Sequence, residues 1–85
     1  LVHGIEATHA GHVKLIDNRR LARLAKLAGA PGQPAAGLEI HVRLGQQIER
    51  GQPLFTLHAA ARGELQYALR YHRDQPALVV AEDGT

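Results

Sequence analysis

LGQQIERGQPLFTLHA, residues 44–59, is the stretch that decides the fold of this chain. Gly45 and Gly51 stand on either side of a short segment whose one apolar residue is Ile48, and an apolar run follows the second glycine. Because glycine adopts backbone conformations that other residues avoid, the chain can reverse its direction twice within these few residues. We therefore predict a small twisted corner with two tight turns, followed by a strand over residues 53–59.

Hydrophobic periodicity predicts the elements on both sides of this corner. A period of two indicates a β-strand, and a period of about 3.6 indicates a helix. The predicted strands cover residues 2–7, 12–16, 37–44, 53–59 and 77–81, and the predicted helices cover residues 18–28 and 62–73. The predicted order is β-β-α-β-β-α-β, which makes the chain an α+β domain with two helices.

Residues at its two ends define the first predicted helix. Asp17 is a predicted N-cap, because its carboxylate can accept a hydrogen bond from a free backbone N–H of the first turn. Gly29 suits the position after the last turn, and Pro31 prevents the helix from resuming. A loop is predicted over residues 30–36. The predicted inner face consists of Leu21, Leu24, Ala25 and Ala28.

Two further faces are predicted to be buried. The strand over residues 37–44 alternates strictly, so one side would face the core; its residues are Leu38, Ile40, Val42 and Leu44. In the second helix the predicted inner face consists of Leu65, Ala68, Leu69 and His72. We expect His72 to be a core histidine with its hydrogen bonds satisfied.

The composition limits the chemistry that the chain can perform. It has 85 residues, a formal net charge of +2, no cysteine and no serine, which excludes disulfides, zinc–thiolate sites and cysteine or serine nucleophiles. No apolar run reaches the length of a membrane span. Because the sequence begins at Leu1 without a methionine, we expect residues 1–85 to be a single domain cut from a longer cytoplasmic protein.

The histidines do not form a recognisable metal or catalytic pattern. His9 and His12 are three residues apart, a spacing that brings two imidazoles together only in a helix, and a strand break is predicted between them. Thr56 and His58 share one strand face, but no acidic partner is fixed beside them, and a triad would need a carboxylate brought in from Glu39 or Glu49. We therefore predict no catalytic, cofactor-binding or metal-binding residue in this chain.

A basic ridge on the first helix is the predicted docking surface. Arg19, Arg23 and Lys26 lie opposite the apolar face of that helix. Such a ridge can contact an acidic protein partner or the phosphates of RNA, although no aromatic residue lies between the cations to stack on bases. A free-standing module that binds RNA or an acidic protein is therefore the alternative function.

The corner at residues 44–59 resembles the one found in barrel-sandwich hybrid modules, which include the biotin and lipoyl carriers. Carrier domains present their modified lysine directly after a strand like the one over residues 53–59. Alanines occupy residues 59–61 here, and the two lysines of the chain, Lys14 and Lys26, lie elsewhere. The resemblance therefore implies a barrel-sandwich-hybrid-like sheet without the carrier function. An unmodified relative of the carrier domains inside a carboxylase or transporter is a further alternative, although the helix predicted over residues 62–73 stands where simple carrier modules have a strand.

Four motifs carry a second and more specific resemblance. In chain order they are Ala10-Gly11-His12-Val13 followed by Ile16-Asp17, Leu27-Ala28-Gly29-Ala30-Pro31, Gly37-Leu38-Glu39, and Gly45…Ile48…Gly51-Gln52-Pro53-Leu54. Together they resemble the C-terminal domain of the pyrimidine nucleoside phosphorylase family, in particular its thymidine and AMP phosphorylase branch. The chain departs from that family at Ala10 and His12, where a serine and an aromatic residue are frequent.

The resemblance implies a parent enzyme that uses phosphate as co-substrate. Such an enzyme cleaves a pyrimidine nucleoside, or a nucleoside monophosphate, to the free base and a pentose 1-phosphate. The family binds base and phosphate through its upstream helical and α/β domains, so no catalytic residue maps onto this chain. The resemblance implies an accessory domain that packs on those upstream domains, in a homodimer or larger assembly, without a cofactor of its own and without a membrane partner.

Overall fold

The computed structural model describes residues 1–30 and 37–82, and it confirms an α+β domain. Its elements are β1 (Val2–Glu6), β2 (Gly11–Ile16), α1 (Asn18–Leu27), β3 (Gly37–Ile40), β4 (Gln47–Ile48), β5 (Pro53–His58), α2 (Arg62–Asp74) and β6 (Leu78–Ala81). Apart from Ala30, the loop predicted over residues 30–36 lies outside the described residues, as do residues 83–85.

The strands form two antiparallel sheets of three strands each. The first has the order β1-β5-β3 and the second the order β4-β2-β6. The predicted order omitted β4, whose residues Gln47 and Ile48 pair with His12 and Gly11 of β2. Two residues are too few to produce a periodic pattern, so this strand is recognisable only through its pairing partner.

One hydrophobic core connects both sheets and both helices. Its largest fully buried side chains are Phe55 and Leu57 of β5, Val13 of β2, Ile48 of β4 and Leu24 of α1. The predicted inner faces of the helices are confirmed, with Leu24, Ala28 and Ala68 buried, Leu21, Leu65 and Leu69 packed against the core, and Ala25 half-buried. The helices pack against each other as well as against the core residues of the sheets, and these contacts cover their apolar sides.

The predicted ends of α1 are also confirmed. The Asp17 carboxylate accepts hydrogen bonds from the backbone N–H groups of Arg19 and Arg20, at 3.0 and 3.1 Å. Gly29 follows the last turn with a φ of 123°, and its N–H donates to the Lys26 carbonyl. Local capping chemistry alone therefore sets the bounds of this helix.

The prediction for residues 37–44 was wrong in its second half. The strand ends at Ile40, which is 42% exposed, and Leu44 is 66% exposed, whereas Val42 is buried. The His41 N–H still donates to the Leu54 carbonyl of β5, and the chain then turns toward β2, where the Gly45 N–H donates to the Val13 carbonyl. Alternation keeps one side toward the core only while a strand stays in its sheet, so the pattern loses its meaning beyond Ile40.

The two glycine turns of the corner have the same construction. Gly45 and Gly51 each have a φ of 84°, a left-handed conformation that favours glycine. In each turn the glutamine after the glycine folds back, and its side-chain oxygen accepts a backbone hydrogen bond of 3.0 Å: Gln46 from Arg43 and Gln52 from Glu49. The Gly-Gln pair repeated six residues apart is the sequence signal for these twin turns.

Replacing either turn glycine by alanine is expected to destabilise the domain. A left-handed backbone costs a residue with a Cβ about 1–2 kcal/mol, and nothing else crowds the Cβ position at Gly45 or Gly51. Urea unfolding should show this loss for Gly45→Ala and for Gly51→Ala, and a smaller loss for Gly45→Asn, because asparagine tolerates this region better. Leu44→Ala is the control in the same turn, and equal losses for control and glycine variants would contradict the account.

Candidate functional site

The predicted basic ridge lies on the exposed side of α1. Arg19, Arg23 and Lys26 are all exposed, and none of them forms an ion pair with another described residue. Their guanidinium and ammonium groups are therefore available to a partner on this side of the domain. The docking role itself stays a prediction.

The neighbouring Arg20 has a structural task. Its guanidinium donates a 2.9 Å hydrogen bond to the Pro76 carbonyl, and its Nε lies 3.5 Å from the Asp17 carboxylate. Since Asp17 caps α1 and Pro76 follows α2, this side chain connects the start of one helix to the end of the other. Arg20 is therefore less available for a partner than the three residues of the ridge.

Charge is distributed unevenly over the fold. The helices α1 and α2 together contain seven of the ten lysine and arginine residues, but two of the eight acidic residues, Glu64 and Asp74. Outside the helices, residues 1–30 and 37–82 contain five acidic and three basic residues, so the strands and loops there carry a net negative charge. The positive charge of the domain is therefore concentrated on its two helices, and this suits an acidic partner.

A polar cluster covers the exposed face of the first sheet. His58 donates to the Glu39 carboxylate at 2.6 Å, and His41 shares a 2.7 Å hydrogen bond with the Thr56 hydroxyl. We predicted no fixed acidic partner for His58, and this was wrong. Glu39 of β3 pairs with Thr56 of β5, and this register brings the Glu39 carboxylate next to the His58 ring. Since Thr56 bonds to His41 while the acid bonds to His58, the two pairs form no threonine–histidine–carboxylate relay.

The HxxH spacing does not bring its two histidines together as ligands. The His9 ring donates from Nε2 to the Val80 carbonyl at 2.7 Å, and its Nδ1 faces the Thr8 hydroxyl at 3.2 Å. His12 lies in β2, beyond the turn, and makes interactions of its own. Within the described ranges, no three histidine, aspartate or glutamate side chains lie close enough to hold a metal ion.

His72 lies beside a cavity of about 340 Å³ between the two sheets and the end of α2. Its ring stands edge-on to Phe55, with 5.1 Å between ring centroids and an interplanar angle of 86°. The cavity is mostly apolar, with Ile5, Leu54, Pro76, Leu78 and Val80 in its wall. The prediction that the hydrogen bonds of His72 are satisfied was wrong for Nδ1, which is buried and has no hydrogen-bond partner among the described residues.

Burial lowers the pKa of His72 below its ordinary value of 6.5, because the apolar surroundings disfavour the charged ring. Below pH 6.5 the unfolded chain takes up a proton at this residue that the folded chain resists. The neutral ring therefore makes its full contribution to the free energy of unfolding above pH 6.5, and this contribution is lost as the pH falls toward the lowered pKa.

We expect His72→Gln to reduce the pH dependence of the free energy of unfolding between pH 7.5 and the lowered pKa of His72. Urea unfolding at a series of pH values measures the effect, and His3→Gln, an exposed replacement on β1, is the matched control. If the His72 variant kept the wild-type pH profile, burial of this ring would not be the cause of the acid sensitivity.

Comparison with known proteins decides the family. The family described as "Pyrimidine nucleoside phosphorylase C-terminal domain" matches residues 12–76. The chain belongs to this family. The resemblance carried by the four motifs is thereby confirmed, and the motifs lie in or next to the matched region.

The relatives of this C-terminal domain are much longer proteins. A protein of Polaromonas sp. named "Putative thymidine phosphorylase" is 61% identical over 81 residues, which cover 94% of this chain and 16% of the relative. A "Putative thymidine phosphorylase 2" of Acidovorax sp. is 58% identical over 77 residues, 91% of this chain and 15% of the relative. The chain thus spans about one sixth of the length of these curated relatives.

A more distant relative shows the same relation. A protein of Legionella pneumophila, also named "Putative thymidine phosphorylase", is 46% identical over 83 residues, which cover 98% of this chain and 16% of the relative. Neither helix in the described part of the chain has the length and apolar character needed to cross a membrane.

In this C-terminal domain the family motifs occupy positions that shape the backbone. A Cβ at Gly11 would run into the Ala81 carbonyl, Asp17 caps α1, and Gly45 and Gly51 form the twin turns. Pro31 lies outside the described residues. The described motif residues thus account for turns, caps and a close approach between strands.

Proposed function

We propose that this chain is an accessory domain of a nucleoside phosphorylase and acts by packing on the rest of its chain. The parent chain would cleave thymidine, a related pyrimidine nucleoside or a nucleoside monophosphate with phosphate as co-substrate. The products are the free base and a pentose 1-phosphate. The names of the relatives support this activity, and the one-sixth coverage supports further domains in the same chain.

The observation that carries the packing role is the structural use of the family motifs. Glycines 11, 45 and 51 and the Asp17 cap each have a backbone function within the domain. Catalytic motifs, in contrast, bring nucleophiles, acids or anion-binding groups together in a pocket. The motifs of this domain therefore support a scaffold, with base and phosphate bound upstream.

The basic ridge supplies a docking surface for this role. Arg19, Arg23 and Lys26 would face acidic groups of an upstream α/β or helical domain, or of a second subunit in a homodimer or larger assembly. The domain would need no cofactor of its own and would act in the cytoplasm. Arginine favours such contacts because its planar group binds a carboxylate with two parallel hydrogen bonds.

A panel of substrates tests the parent activity. Phosphate-dependent release of free base is measured for the parent chain with thymidine, uridine, AMP, CMP and UMP. We expect release from at least one substrate, and the pattern assigns the thymidine or the AMP branch. A well-folded parent chain that releases no base from any of them would exclude the proposed phosphorylase.

The concentration of cations on α1 and α2 favours one second candidate, a module that binds RNA through these helices. Titration with labelled RNA at two salt concentrations separates the candidates. Phosphate contacts would give an affinity that falls steeply with salt, whereas a packing domain would show little binding at either concentration.

A further inference from the structure

The glycine of α2 has no function within the domain itself. Gly63 lies in the first turn of α2 with an ordinary helical backbone, and a Cβ at this position would meet nothing within 4 Å. Glycine is less favourable than alanine inside a helix. Neither backbone conformation nor internal packing therefore explains the residue, in contrast to Gly11, Gly45 and Gly51.

The missing side chain helps to form a surface cleft. Gly63 lines a cleft of about 160 Å³ together with Gln66, Tyr67 and Arg70. These residues follow at spacings of three, four and seven, so they share one face of α2. Tyr67 is 66% exposed, and neither Tyr67 nor Arg70 forms a hydrogen bond or ion pair with another described residue. This face was not predicted from the sequence, because the predicted docking surface rested on the cations of the first helix.

The cleft belongs to a helix that starts close to Leu1. The Leu1 amino group donates to the Ala59 carbonyl at 3.0 Å, and the Ala59 N–H donates to the Leu1 carbonyl at 2.8 Å. Ala59 precedes the first residue of α2 by three positions. In a longer chain that carries this domain at its C-terminal end, the preceding part therefore joins the domain next to the start of α2.

We propose that the preceding part of the same chain places an acidic segment in this cleft, which we call the α2 cleft. The inference rests on the proposed function, since it requires the parent chain. A carboxylate would pair with Arg70, an apolar stem would pack on the Tyr67 ring, and the open position at Gly63 would let the incoming backbone approach. An acidic occupant fits because Arg70 is the charged residue of the cleft lining and has no ionic partner among the described residues.

Hydroxyl-radical footprinting of the parent chain tests this assignment, and Tyr71 serves as an internal reference. The chain has two tyrosines, and Tyr71 is partly buried in the core whereas Tyr67 is exposed in the domain. If the α2 cleft is occupied, Tyr67 should be labelled no faster than Tyr71. Labelling of Tyr67 several times faster than that of Tyr71 would overturn the proposal.

Two variants of the parent chain show whether the cleft itself provides the protection. Gly63→Gln fills the cleft and Arg70→Glu reverses its charge, so both should raise the labelling of Tyr67 severalfold without changing that of Tyr71. Arg43→Glu, at an exposed arginine outside the helices, is the matched control and should leave both signals unchanged. An unchanged Tyr67 signal in both cleft variants, with the melting temperature retained, would overturn the proposal.

Other occupants give different results. Protection that disappears on dilution to monomers would assign the cleft to a second copy, and protection that disappears after nuclease treatment would assign it to RNA; either outcome overturns the proposal. Failure of the proposed function is separate, because it appears as absent phosphorolysis whether or not Tyr67 is protected.

Discussion

We expect Gly11→Ala to destabilise the domain by about 3 kcal/mol, at the upper end of the range for overpacked sites. A Cβ at Gly11 would overlap the Ala81 carbonyl oxygen and lie 2.8 Å from the carbonyl carbon and 3.2 Å from the Glu82 Cα. All three are backbone atoms, which cannot swing aside as the end of a flexible side chain can. The methyl group would therefore force β6 away from β2 at the position where His12 pairs with Ala81. Urea unfolding measures the loss.

Gly4→Ala is the matched control for this prediction. Gly4 also lies in a strand, but a Cβ there would meet nothing within 4 Å. Since glycine weakens a strand interior, alanine at this position should be neutral or should stabilise by up to about 1 kcal/mol. Comparable destabilisation by Gly4→Ala and Gly11→Ala would show that contact with β6 is not the cause.

Phe55→Ala is expected to destabilise the domain by about 3–5 kcal/mol, the range for removal of a buried aromatic ring. Phe55 is fully buried in the central strand β5, where it pairs with Ile5 of β1 and Ile40 of β3. Truncation would leave a cavity next to the one at His72 and would remove the edge contact to its ring. Thermal and urea unfolding both measure this loss.

The same substitution should also change the acid sensitivity of the domain. Without the Phe55 ring, His72 becomes better hydrated, so its pKa should rise toward the ordinary value and the loss of stability below pH 6.5 should shrink. Phe55→Leu is the control that keeps most of the apolar volume. If the alanine and leucine variants were equally stable, Phe55 would not be the centre of the core.

Local signals were sufficient to predict most of the fold. Asp17 and Gly29 mark the ends of α1 because capping involves backbone groups within a few residues of each other. The twin turns at Gly45 and Gly51 were predicted for the same reason. The errors occurred where distant strands decide the outcome, since β4 exists only through β2 and the pattern over residues 37–44 continues past the end of β3.

The surfaces were harder to predict than the fold. The Glu39–His58 bond depends on the register between β3 and β5, which is not visible in either segment alone. The spacing of Gly63, Tyr67 and Arg70 places them on one helix face, but the sequence does not show that the space beside Gly63 is open. Long-range pairing and local free space are both products of the tertiary structure.

The value of kcat/KM for the proposed phosphorolysis by the parent chain tests most directly whether this domain supplies packing and not chemistry. The measurement uses a variant that carries Glu39→Gln, His41→Gln, Thr56→Val and His58→Gln, which removes the polar cluster on the exposed sheet face. Our account predicts a value within about threefold of wild type, well below the hundredfold or larger loss that follows removal of a general acid or base. A loss of about a hundredfold or more in a variant with the wild-type melting temperature would contradict it.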